Sequence, residues 1–367
     1  MPSAGKLNIR IIWDGNVVRE AGIKSSRPQA YRMLKGRMPD NAVQMIPLLY
    51  SVCGKAQLAA CIGAISAAQG NALPQDSNLG RSVTCEAMQE HLWRLLLDWP
   101  VCMGLPQQQQ AFIRWHSTLK EIAAGHGKAE NLPADLLREL LGMTQAEWRQ
   151  IDTYAKLNDW QKSGQGLLVP VLAALDLKES QLDFAAKSAQ CALLPEWSAA
   201  DVWKTYADYF DHGFTAVPQY EGKPMETGAL AHKLHTPLLQ DVLRKRPTRL
   251  LARLIARIVD LLDSAEALAQ GNDNGRIQSV SAVAATGLSV VRTARGMLLH
   301  YAHIESGRLA EYLTVAPTEW NFHPQGALVN GLIGLKESDE ERLMGIVKTY
   351  VLSLDPCVEY EIEISHA

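Results

Sequence analysis

The chain has 367 residues, of which 47% are hydrophobic and 20% charged, enough for one large domain or two small ones. A formal net charge of −3 provides no basic field for nucleic acid or an anionic membrane surface. No apolar run approaches bilayer length and the start, Met1-Pro2-Ser3-Ala4-Gly5-Lys6, has no signal-peptide core, so the expected location is the cytoplasm.

Leu7 to Trp13 and Val17 to Ile23 flank Asp14-Gly15-Asn16, a hairpin signal. Asp40 or Asn41 can cap a helix starting near Ala42 and running to Tyr50. Ser51-Val52-Cys53-Gly54 reads as a turn before an alanine-rich helix from about Ala56 to Ala68, whose small side chains permit close packing. From Arg81 to Gly127 the pattern is helical, and Thr144-x-x-Glu147 is a capping box. His91, His116 and His126 stand in no ligand spacing and read as core or solvated residues. The six cysteines, Cys53, Cys61, Cys85, Cys102, Cys191 and Cys357, form no Cys-x-x-Cys pair, so neither a disulfide framework nor a structural zinc site is expected.

Val217 to Ala231 combines prolines, glycines and apolar residues, the composition of a structured, partly buried loop. A helix pair follows from Leu238 to Gln270, broken at Pro247, with Arg244-Lys245-Arg246 and Arg249 expected at a solvated helix end. Met297 to Ile304 and Leu309 to Val315, separated by Glu305-Ser306-Gly307-Arg308, form a second hairpin signal. That hairpin is expected to bring Arg295 and Thr318 into one pocket, two donors suited to an anionic or acceptor-rich ligand. Ser338-x-x-Glu341 is a further capping box, opening a helix that reaches about Tyr350.

Several of these stretches resemble nickel-iron hydrogenase large subunits. Arg292-Thr293-Ala294-Arg295-Gly296-x3-His300, Ser306-Gly307 and Ala316-Pro317-Thr318-x-Trp320-Asn321 match one family segment. Leu34-Lys35-Gly36-Arg37 with Cys53-Gly54 matches another, the loop at 217–231 a third, and Asp355-Pro356-Cys357 the family's C-terminal motif. The family holds nickel with four thiolates, one terminal and one iron-bridging from each of two motifs. Here Cys53 and Cys357 keep the first cysteine of each pair, while Ala56 and Tyr360 stand at the second positions and Ala60 and Glu363 at the family's histidines.

The resemblance implies a mainly α fold with small β-sheets (α+β), a reduced form of the large subunit's helical core. One domain over 1–367 is expected, with an N-terminal hairpin at 7–23, a divergent helical middle at 81–194 and a C-terminal hairpin and motif region at 286–367. With two of four nickel ligands missing, the chain is similar to the HupK/HoxV type of hydrogenase maturation protein rather than to an enzyme. That type implies a scaffold that takes an Fe(CN)2(CO) unit, without nickel, from Hyp-type assembly proteins and passes it to the large-subunit precursor. Cys53 and Cys357 would hold iron, and Arg295, Pro317 and Thr318 the cyanide and carbonyl shell. The alternative is a metal-free, large-subunit-like chaperone for the same partners.

Overall fold

The computed structural model describes residues 5–50, 52–72, 77–185, 190–206, 210–272 and 275–367. Side-chain alternation decides its first sheet. In β1 (Lys6–Trp13), Leu7, Ile9, Ile11 and Trp13 are buried while Asn8 and Arg10 are exposed, the period of two that puts one strand face in the core. Asp14 turns the chain by accepting the N–H groups of Asn16 at 2.9 Å and Val17 at 2.8 Å, and β2 (Val18–Ser25) returns antiparallel.

Helix α1 (Pro39–Leu49) starts earlier than expected. Pro39 occupies the first helical position, where a fixed φ and a missing N–H cost nothing, so Asp40 lies in the first turn and neither Asp40 nor Asn41 caps it. Likewise α2 (Gly54–Ala68) takes Gly54 as its first residue and Cys53 as its N-cap. The expected turn is thereby shortened, and its Ser51 lies outside the described residues. As expected, α2 is buried, with Ala59, Ala60 and Ala64 wholly enclosed. Helix α3 (Ser77–Trp93) continues through a π turn at 94–98, and the capping box at Thr144 and Glu147 forms as read from the sequence.

A helix at Pro237–Lys245 leads into α4 (Leu250–Ala269), the axis of the main core. Almost every side chain of α4 is buried, as in a helix surrounded on all sides. The basic run before it is not a solvated end throughout. Arg246 pairs with Asp176, and Arg249 Nη1 donates to Glu226 Oε2 at 2.8 Å, both in largely buried settings. The burial of the carboxylates decided this, since a buried anion needs a paired cation.

Strands β3 (Ile277–Val280), β4 (Thr286–Thr293), β5 (Gly296–Glu305) and β6 (Arg308–Val315) form an antiparallel sheet in that order. Ser306 and Gly307, at φ of 49° and 73°, make the tight turn between the last two. Helix α5 (Glu340–Leu354) is capped by Asp339, whose Oδ1 accepts Arg342 N–H at 3.0 Å; this single cap, one residue on, replaces the expected box from Ser338. Strand β7 (Glu359–His366) then pairs parallel with β1, from Lys6 opposite Glu359 to Trp13 opposite His366, so both chain ends share one three-stranded sheet. Among the described residues no helix is long and apolar enough to cross a membrane.

The sheet packs on α2 through Gly287, where an added Cβ would lie 2.0 Å from the Ala64 carbonyl oxygen and 2.5 Å from Ala68 N. Both are backbone atoms and cannot yield. Gly287→Ala is therefore expected to destabilise the fold by at least ~1–3 kcal/mol, the range for overpacking, read as a lower urea midpoint at unchanged slope.

Candidate functional site

The fold brings Cys53 and Cys357 from opposite ends of the chain to within electrostatic reach of each other. Cys53 ends the turn before α2, and Cys357 follows Asp355, which closes α5 in a left-handed conformation at φ 57°. Burial pushes the Cys53 thiol up to about 12; nearby Glu90 and Cys357 add to the shift, and Arg295 opposes it. The Nε2 of Gln57 donates to the Cys53 sulfur at 3.6 Å, and the Thr318 hydroxyl lies 3.0 Å from the Cys357 sulfur. Pro317, buried, begins the short helix Pro317–Asn321 that presents Thr318.

Arg295 is buried and held by carboxylates. Its Nη1 donates to Glu90 Oε2 at 2.7 Å and its Nε lies 3.5 Å from Asp355 Oδ1. Burial alone would weaken its charge, but Glu90 and Asp355 outweigh that and keep it cationic. Asp355 also accepts from Arg94 Nε at 2.7 Å and Arg257 Nη1 at 2.8 Å. Its burial disfavours ionisation, yet Arg94, Arg257 and Arg295 together hold it below the usual carboxylate range.

The Asn321 amide fixes the surrounding segments. Its oxygen accepts Thr227 N–H at 2.9 Å, and its nitrogen donates to the carbonyls of Arg295 and Leu354, each at 3.3 Å. The 217–231 loop thus ends buried against the Arg295 corner, where the Thr227 hydroxyl also accepts Met297 N–H at 3.0 Å.

Two openings lie near Cys357, one reaching it directly and one through Thr318. A groove of about 1010 Å³ is lined by Cys357, Arg295, Cys102, Trp93, Val101 and Tyr360. A separate cavity of about 550 Å³ is lined by Thr318, Arg27, Tyr50 and Glu319. The expected single pocket for Arg295 and Thr318 is therefore corrected: the two side chains border different spaces because the Asp355 turn and Cys357 stand between them. Arg27, which pairs with Glu319 at 2.8 Å, lies within electrostatic reach of both Cys357 and Cys53 from the cavity side. Ala56 is buried in the first turn of α2, Ala60 is buried one turn on, and Tyr360 and Glu363 lie on β7.

Sequence reasoning missed Glu90, Arg257, Arg94 and Arg27. Glu86 and Glu90 stand one helical turn apart on α3, with Ala87 and Met88 between them, and Arg253, Arg257 and Asp260 recur on the apolar α4. Charges within a buried helical pattern were the available signal.

Residues 233–360 match the nickel-dependent hydrogenase family. Over nearly its whole length the chain is similar to the hydrogenase expression/formation protein HupK of Azotobacter vinelandii, 28% identical over 99% of this chain and 100% of that one. It is also similar to HoxV of Cupriavidus necator, 27% identical over 94% of this chain and 93% of the relative. Along nearly its whole length the chain is thus similar to the HupK/HoxV proteins. Its fold is that of a chain of the [NiFeSe] hydrogenase from Desulfovibrio vulgaris Hildenborough, with a TM-score of 0.57, 16% identity and coverage of 97% and 98%.

Removing the charge of Asp355 would leave the buried Arg257 and Arg295 and the half-buried Arg94 short of an anion. Asp355→Asn is expected to cost ~3–5 kcal/mol in urea denaturation at neutral pH. Because the folded pKa is depressed, this contribution is present above the ordinary carboxylate value and fades as pH falls through the folded value. The stability gap between wild type and variant should narrow below about pH 4.

Proposed function

We propose that this chain acts in nickel-iron hydrogenase maturation as a non-catalytic scaffold, carrying an Fe(CN)2(CO) unit as cargo and passing it to the large-subunit precursor. Relatives spanning the whole chain are named hydrogenase expression/formation proteins, which supports the maturation role. The observation that carries the finer reading is the meeting of two thiols, Cys53 and Cys357, beside a buried arginine and a hydroxyl.

Soft thiolates suit such an iron centre. Low-spin iron(II) with two cyanides and one carbonyl is neutral, so two thiolates make a dianion. Arg295 and Arg27 lie within electrostatic reach of both sulfurs and would offset part of that charge. Thr318 supplies a hydroxyl beside Cys357 for an acceptor-rich ligand shell. Two thiolates with three diatomic ligands leave one of six positions free, and the groove beside Cys357 gives a partner's thiolate a path to it. The same two thiols cannot supply the four-thiolate nickel site, since Ala56 and Tyr360 occupy the other positions. Hydrogen turnover is accordingly not part of this reading.

A second reading rests on the groove rim. Val52, Trp93, Val101 and Tyr360 are exposed large apolar side chains that line one opening, which favours a protein partner whether or not cargo is present. It corresponds to a metal-free chaperone for maturation factors or the precursor.

Infrared spectroscopy with metal analysis on protein purified anaerobically from cells making the maturation proteins separates the two. The scaffold predicts cyanide and carbonyl bands with near-stoichiometric iron and no nickel, all lost in a folded Cys53→Ala/Cys357→Ala double variant. Bands retained in that variant would refute the site. A bandless wild type that captures the precursor as well as the double variant does would select the chaperone.

A further inference from the structure

Behind Cys53 runs a buried chain of polar groups that neither the charge network nor the two openings use. Gln57 Nε2 donates to the Cys53 sulfur, and Gln57 Oε1 lies 2.8 Å from His300 Nε2. His300 Nδ1 lies 2.6 Å from the Tyr312 hydroxyl, which is also hydrogen-bonded with the Cys61 thiol. Gln57, His300, Tyr312 and Cys61 are all at most 2% exposed. Four polar side chains with so little access to water must satisfy one another.

With the Gln57 amide nitrogen on the sulfur, the direction of every other bond follows. Since the Gln57 amide gives its nitrogen to the sulfur, its oxygen faces His300 and needs a donor there. His300 Nε2 therefore carries the proton, and Nδ1 is left as an acceptor for the Tyr312 O–H. The Tyr312 oxygen then receives the Cys61 S–H. Burial pushes the His300 imidazole down to about 3, so it stays neutral and has one proton to place. Each bond runs toward Cys53.

We propose that Gln57 is a positioning residue for the Cys53 sulfur, its amide held donor-first by His300, whose tautomer is set by Tyr312. The sulfur then binds as a hydrogen-bonded thiolate, a weaker electron donor than a bare one. With respect to cargo this rests on the scaffold reading; with respect to the thiol it stands without it.

The test uses the full chain in two arms. In the metal-free protein, alkylation of Cys53 by iodoacetamide is followed by peptide mass mapping, with Cys102 as internal control. With the sulfur no longer held by its amide partner, Gln57→Leu is expected to change the Cys53 alkylation rate about threefold, the scale of one net hydrogen bond, with Cys102 unchanged. In protein carrying cyanide and carbonyl bands, Gln57→Leu and Gln57→Glu should both move the carbonyl band to lower frequency, because a sulfur without its hydrogen bond donates more charge to iron. Tyr312→Phe, two groups removed, should shift both readouts in the same sense by less, and serves if Gln57→Leu does not fold.

A folded variant matching wild type in either arm overturns the assignment. A wild type that shows no bands overturns the cargo reading instead, and the alkylation arm then decides the role of Gln57 alone.

Discussion

The arrangement depends on Asp355. Its carboxylate is buried, sits on a left-handed backbone turn, and meets Arg94, Arg257 and Arg295. Each arginine comes from a different element: the π turn after α3, the central α4, and the corner before β5. One anion thereby fastens the end of α5 to three parts of the molecule. Cys357 lies two residues further on and has nowhere else to go. A hydrophobic contact could not do this, because apolar packing is non-directional, whereas three ion pairs fix both position and orientation.

Around this anchor, the charges near the thiols are arranged in layers. Glu90 and Asp355 balance Arg295, and Glu319 balances Arg27, so neither arginine is an unpaired cation in the resting protein. Buried charges without partners would be too costly to keep. Pairing still leaves each guanidinium close enough to feel both sulfurs, so negative charge added at the thiols meets a preformed positive environment. Breaking either pair to gain a freer cation would cost more than the added attraction returns.

The site is also two-sided. The groove on the Arg295 side is wide and rimmed with apolar side chains, while the cavity on the Thr318 side is smaller and carries the Arg27 and Glu319 pair. Cys357 stands at the boundary and Cys53 sits deeper, with Gln57 at its back. A centre held there would be reached by a macromolecule mainly from one side, with its charge compensated from both.

Much of this was determined by the sequence alone. Apolar runs on either side of Asp14-Gly15-Asn16 and of Glu305-Ser306-Gly307-Arg308 placed both hairpins, because polar, glycine-containing turns reverse the chain where it can stay in water. The Thr144 and Glu147 box formed because its bonds close within four residues. The motifs carrying Cys53, Arg295, Thr318 and Cys357 were recognisable because each is contiguous. Local rules failed where a neighbour competed: Pro39 took the helix start from Asp40, and Asp339 took the cap from Ser338. What only the tertiary structure decided was partnership across the chain. Nothing near Arg295 in sequence points to Glu90, nothing near Cys53 to His300, and nothing in the run at 244–249 to Asp176 or Glu226. Buried charges and hydrogen bonds choose partners by distance after the core has formed, and that distance is set by packing that no single segment encodes.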